Sequence, residues 1–245
     1  MKLPRHVAIL LLGASLFGCA QQAVEPKPFQ PAKVYGEWRI RVKPGQDEKF
    51  SRLVNEQGLP VYRAAGGTMI GWWKTLVGGS SYEHTAIWEF DSVSAFESSM
   101  KSLQNNEAIA RYDSARALLI DGDNSRLLNL APGANKPDIP ISANFVVHEI
   151  HRVPFAEQTA YFSYLTQEGI PALEKQGFRP VGPFVANVGK WTEVTILLLF
   201  ESLAEREMCI AKLMAHPDGG VFWEAMQQHF GELENRLLVP VRVTE

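Results

Sequence analysis

Glu37 and Arg39 stand two residues apart in the run Val34–Val42, whose alternation is that of a β-strand. A carboxylate and a guanidinium therefore project from one face, with Tyr35 beside them. A shift of 111 residues along the chain superposes Glu37 on His148, which brings an imidazole to the matching face of an equivalent strand. Such a trio around one space could orient a polar ligand or accept a proton from it, and a Glu–His pair in low dielectric would make binding depend on pH near neutrality. In the run Glu83–Phe90 the residues His84, Trp88 and Phe90 share a face and would supply an aromatic wall. Tyr35, Glu37, Arg39, His84, Trp88 and His148 are therefore expected to line one interior ligand pocket.

Sharper chemical signatures are missing from the sequence. His148-Glu149-Ile150-His151 puts two histidines three apart on a strand, where they face opposite sides and cannot chelate one ion. His216 and His229 have no cysteine or carboxylate pattern around them. No phosphate-binding glycine loop, dinucleotide fingerprint or Gly-x-Ser-x-Gly elbow occurs, so neither a metal nor a cofactor is expected. Cys209, between Glu207, Arg206 and Ile210 in a helical stretch, reads as a packing residue. With 24 Lys and Arg against 27 Asp and Glu, the net charge of −3 offers no means of neutralising a phosphate backbone, and nucleic acid is excluded as a partner. The 245 residues, 46% hydrophobic, suit one or two globular domains.

Cys19 carries a different chemistry. Lys2 and Arg5 precede an apolar run of 11 residues from Val7 to Phe17, broken only by Gly13 and Ser15. As a helix it would rise about 16 Å, half the hydrocarbon thickness of a bilayer, so it reads as a secretory signal and not as a span. Leu16-Phe17-Gly18-Cys19 resembles the lipobox of bacterial lipoproteins, which implies removal of residues 1–18 and acylation of Cys19. Residues 19–33, with Pro26, Pro28 and Pro31, read as an extended tether. Ala20, in place of an aspartate after the cysteine, implies the outer membrane, facing the periplasm.

The elements that must position the pocket are written twice. At the same offset Gly58-Leu59-Pro60 meets Gly169-Ile170-Pro171, Gly66 meets Gly177, Gly71 meets Gly182 and Val77-Gly78 meets Val188-Gly189. At an offset of 110, Phe90, Ser92 and Tyr112 meet Phe200, Ser202 and Phe222, and Ser125-Arg126-Leu127-Leu128 meets Asn235-Arg236-Leu237-Leu238. Residues 34–130 and 144–245 form the repeats, and the Pro-rich segment 131–143 links them. Each repeat reads β-α-β-β-α-β, with a helical stripe of Phe50, Leu53, Val54 and Val61, a turn at Gly78-Gly79-Ser80-Ser81, and a short closing strand from Arg126 to Leu130. That order predicts an α+β fold of two ferredoxin-like repeats packed sheet to sheet as a pseudo-symmetric α/β barrel.

Trp38-Arg39, Lys43-Pro44-Gly45, Gly58-Leu59-Pro60, Gly66-Gly67, Gly71-Trp72-Trp73, Ile87-Trp88-Glu89-Phe90-Asp91-Ser92 and Ser125-Arg126-Leu127-Leu128 together resemble the NIPSNAP family of the dimeric α/β-barrel superfamily, in both repeats. The expectation is a lipid-anchored envelope protein that holds a small amphipathic or aromatic ligand or a protein partner. The superfamily also implies an alternative, a cofactor-independent oxygenase or isomerase with Glu37 or His148 as proton acceptor.

Overall fold

The structure, a computed structural model, describes residues 32–243 except 139, 218, 221, 223 and 225–231. The expected leader, Cys19 with its expected acylation, the expected tether up to residue 31 and His229 lie outside the described residues.

The first repeat runs β1 (Val34–Val42), α1 (Asp47–Leu53), a π-helical turn (Val54–Gly58), α2 (Leu59–Ala64), β2 (Thr68–Val77), β3 (Glu83–Phe90), α3 (Val93–Gln104), α4 (Glu107–Ala117) and β4 (Ile120–Asn135). The second runs β5 (Phe145–Arg152), α5 (Gln158–Tyr164), a π-helical turn (Leu165–Gly169), α6 (Ile170–Lys175), β6 (Arg179–Val188), β7 (Glu193–Phe200), α7 (Leu203–Ala215) and β8 (Glu232–Pro240). Local signals set these bounds alike in both copies. Ser92 and Ser202 cap α3 and α7, each hydroxyl accepting a backbone N–H of the first turn at 3.0 Å. Gly66 and Gly177 follow α2 and α6 at φ of +94° and +92°, a conformation that favours glycine.

The eight strands close into one antiparallel barrel in the order β1-β3-β2-β8-β5-β7-β6-β4. Each repeat supplies four strands, and the two sheets are stitched at both edges, β2 to β8 and β4 to β6. The stitches are equivalent: Val77 pairs with Leu237, and its counterpart Val188 pairs with Leu127. Closure removes every sheet edge. Inside lies an apolar cluster that includes Tyr35, Ile70, Trp73, Ile87, Leu128, Val146, Phe184, Leu197 and Leu238, with Ile141 and Ala143 of the connecting segment packed against it. Outside, each repeat packs its helices on its own sheet.

Two expectations change. The closing strand of the first repeat spans 16 residues rather than Arg126 to Leu130 alone, and it runs to Asn135, into the segment read as a linker. Its polar start pairs with β1, Arg41 opposite Gly122 and Arg39 opposite Asn124, so tertiary pairing overrides weak strand propensity. The second helix of that repeat is two helices, parted where the Asn106 side chain accepts from Ala108 N at 2.8 Å and caps α4.

Candidate functional site

Alternation on β1 sends Tyr35, Glu37 and Arg39 into the barrel and leaves Val34, Trp38 and Ile40 in the clusters beneath the helices. Glu37 and His148 meet inside: both are fully buried, and His148 Nε2 stands 3.0 Å from Glu37 Oε1. Glu37 lies opposite Arg126 on β4, and His148 lies opposite Arg236 on β8. Arg126 anchors the cluster. Its Nε donates to Glu37 Oε2 at 2.7 Å, its Nη1 to Glu193 Oε2 at 2.8 Å and its Nη2 to Thr195 Oγ1 at 3.0 Å. Burial pushes the Glu37 carboxyl up, but Arg126 and His148 outweigh it and hold that group well below the usual carboxylate range. Tyr35 lies edge-on to Phe184 at 5.1 Å, with its hydroxyl pKa raised by burial.

The other predicted pocket residues go elsewhere. Arg39 is half-buried at the barrel mouth, where it lines a recess of about 250 Å³ with Arg41, Glu83, Gly122, Asp123 and Asn124. His84 and Trp88 do not share the interior with Glu37, which corrects the single-pocket expectation. On β3 the inward face is Ile87, and His84 and Trp88 point to the helices. His84 Nε2 lies 2.7 Å from Asp47 Oδ1 on α1, and Lys74 Nζ donates to Asp47 Oδ2 at 2.5 Å. Burial lowers the His84 pKa against the pull of Asp47, while Lys74 and His84 overcome burial and depress Asp47. The reason for the misplacement is physical. A barrel sheathed in helices buries both faces of its sheet, so apolar alternation on an inner strand does not say which face is inside.

Trp88 instead walls a cavity between sheet and helices of the first repeat, of about 200 Å³, bounded also by Trp38, Phe50, Tyr62, Trp72 and Tyr112. Tyr62 on α2 lies between Trp88 at 5.4 Å, Trp38 at 6.3 Å and Tyr112 at 6.3 Å. Glycines make the room. A Cβ at Gly36 would stand 2.4 Å from the Trp38 ring, and one at Gly58 2.9 Å from Tyr112. Asp113, Arg116 and Asp123 form the polar edge, with Arg116 paired to Asp123. Burial raises the pKa of both tyrosines, so their hydroxyls stay protonated and can donate. This is a site for a flat, apolar molecule with one polar end. Sequence reasoning found Trp88 but missed Tyr62, Tyr112 and Arg116. The signal was there in part, since the alternation that turns Glu37 inward on β1 turns Trp38 to the opposite face.

Among the described residues no group of three His, Cys, Asp or Glu side chains could hold a metal ion. Cys209 is buried, its thiol pKa raised by that burial, as suits a packing residue.

Comparison with known proteins agrees with this architecture. The family model described as NIPSNAP matches residues 37–134 and 153–244. Among solved structures, a candidate monooxygenase from Fusobacterium nucleatum superposes with a TM-score of 0.66 at 10% identity, over 87% of this chain and 94% of its own. Another from Lactobacillus acidophilus gives 0.58 at 10% identity, over 85% and 93%. A NIPSNAP family protein from Agrobacterium tumefaciens is 19% identical over 42% of this chain and 90% of its own, with a TM-score of 0.39. No curated protein matches the sequence.

Proposed function

The chain belongs to the NIPSNAP family, and from that premise we propose that it is a ligand-binding α/β barrel of the bacterial cell envelope whose first-repeat cavity takes a small aromatic molecule. One observation carries the reading: six aromatic side chains surround a cavity of about 200 Å³ with a polar edge on one side. The volume and the flat aromatic walls suit a one- or two-ring phenol. The rings would stack on Trp88 and Tyr62, and a hydroxyl would meet Arg116 or Asp113. The barrel-interior pair Glu37 and His148 has another role in this reading, because it sits among packed side chains and joins the two repeats.

Placement in the envelope rests on the leader sequence. Acylation at Cys19 would tether the barrel to the outer membrane, and among the described residues no helix is long and apolar enough to cross a membrane. The intact mass of membrane-extracted protein should start at Cys19 and carry lipid; a soluble chain that keeps Met1 contradicts the anchor.

Native mass spectrometry of the full chain with 1-naphthol tests the ligand. Retention of one equivalent supports the reading, and failure to retain any contradicts it. If naphthol is bound and consumes oxygen without an added cofactor, the protein is an oxygenase of the kind that the fold permits, rather than a carrier.

A further inference from the structure

The second repeat has its own cavity between sheet and helices, of about 290 Å³, but its walls are mostly aliphatic: Leu165, Leu173, Ile196, Leu198 and Leu213 are among them, Phe178, Phe200 and Phe222 are its aromatic members, and among the described residues it has no tryptophan or tyrosine in its lining. Into this wall the repeat sets three polar side chains in a row. Tyr161 of α5 bonds to His151 Nδ1, and His151 Nε2 lies 3.1 Å from Glu149 Oε2. Burial holds the Tyr161 pKa well above its ordinary value, so the phenol keeps its proton and donates it to Nδ1. A hydrogen on His151 Nε2 is placed to donate to Glu149. The string leads from a fully buried phenol to a carboxylate that borders the cavity.

The first repeat acts as an internal control. At the positions of Glu149, His151 and Tyr161 it carries Trp38, Ile40 and Phe50, one offset of 111 residues away, and it builds the same strand and helix from them. The fold therefore does not require these polar groups. Burying them where apolar side chains suffice costs stability, and this points to a ligand as the reason.

We propose that the second-repeat cavity is a separate binding site for an aliphatic or alicyclic alcohol, whose hydroxyl donates to Glu149 while its hydrocarbon lies on the leucines. Glu149 disfavours a carboxylate, and among the described residues the cation in the lining, Arg206, is occupied by Glu207 at 2.7 Å. An ammonium would bring three donors and a strongly hydrated charge to a mostly apolar wall whose carboxylate already serves His151. The volume admits roughly ten water-sized groups, enough for a ten-carbon chain.

Isothermal titration of the full-length protein with 1-decanol and with decanoate, both below their aggregation limits, tests this. Decanol should bind one to one, and decanoate at least tenfold more weakly. Glu149→Leu should weaken decanol at least tenfold. Leu198→Trp, which places in this cavity the residue that the first repeat already accommodates as Trp88, should abolish decanol binding and guards against a Glu149 variant that fails to fold. Saturating 1-naphthol should leave the decanol affinity within twofold, so this site can fail or stand apart from the aromatic one. No decanol binding, equal binding of decanoate, or full binding by Leu198→Trp overturns the proposal.

Discussion

The two repeats share strand order, register, π-helical turns and helix caps, yet they differ at the positions that face the space between sheet and helix. Where one has Trp38, Ile40, Phe50, Trp88 and Tyr112, the other has Glu149, His151, Tyr161, Leu198 and Phe222. The barrel interior shows the opposite tendency. Arg126 and Arg236, Glu83 and Glu193, and Thr85 and Thr195 are the same residue in both copies, and each arginine reaches the other repeat's glutamate. Interior charge therefore belongs to the joining of the repeats, and the outer cavities are where the copies were free to diverge. The informative exception is Glu37 opposite His148. They are counterparts across the pseudo-twofold axis, so a barrel of two identical units would set a residue against itself there, Glu against Glu. A single chain with two different repeats can put an acid against a base.

The comparison breaks first at Arg126. Arg126→Met leaves Glu37 and Glu193 buried without their guanidinium and should cost about 3–5 kcal/mol, or roughly 10 °C in the midpoint of thermal unfolding. Its counterpart Arg236→Met should cost less, because that arginine pairs with Glu83 and Glu234, which are partly exposed. Equal losses would show that the two sides of the interior are energetically alike.

Acid should weaken the same junction. Glu37 has a lowered pKa in the folded chain and regains the ordinary value of 4.5 on unfolding, so the unfolded chain takes up the proton first. Its contribution is complete above about pH 5 and is lost as the pH falls through 4.5 and below. His148→Gln should shrink that acid-side loss in urea titrations run at successive pH values; an unchanged profile would remove His148 from the account.

The smallest expected effect concerns His84. Its pKa is lowered from 6.5 in the folded chain, so stability falls as pH drops below about 6.5, where the unfolded chain binds the proton more readily. His84→Val, which installs the second repeat's Val194, should cost only about 1 kcal/mol at pH 7.5 and flatten the stability profile between roughly pH 7 and 5. A slope that survives the substitution would show that His84 does not carry it.

Much of this architecture was legible because the chain repeats itself. The offset alone sets Glu37 against His148, and the bounds of β1, β2 and β3 follow from alternation and from the Gly78-Gly79-Ser80-Ser81 turn. The site was less legible. His84 and Trp88 went to the wrong face because both sides of β3 are buried. The aromatic cavity draws on six separated segments, from Trp38 on β1 to Asp123 on β4, which only the closed fold brings together. The helical stripe read through Val61 also hides an irregularity: the π-helical turn at Val54–Gly58 shifts the phase, so Leu59 and not Val61 is the buried residue of α2.

The most direct test of two chemically distinct cavities is a titration with 1-naphthol followed by tryptophan emission. The intact chain should show saturable quenching at one equivalent, Trp88→Leu should weaken it at least tenfold, and Leu198→Trp should leave the affinity unchanged. Two equivalents bound with equal affinity, or the same curve for Trp88→Leu as for the intact chain, would contradict the assignment of the aromatic site to the first repeat.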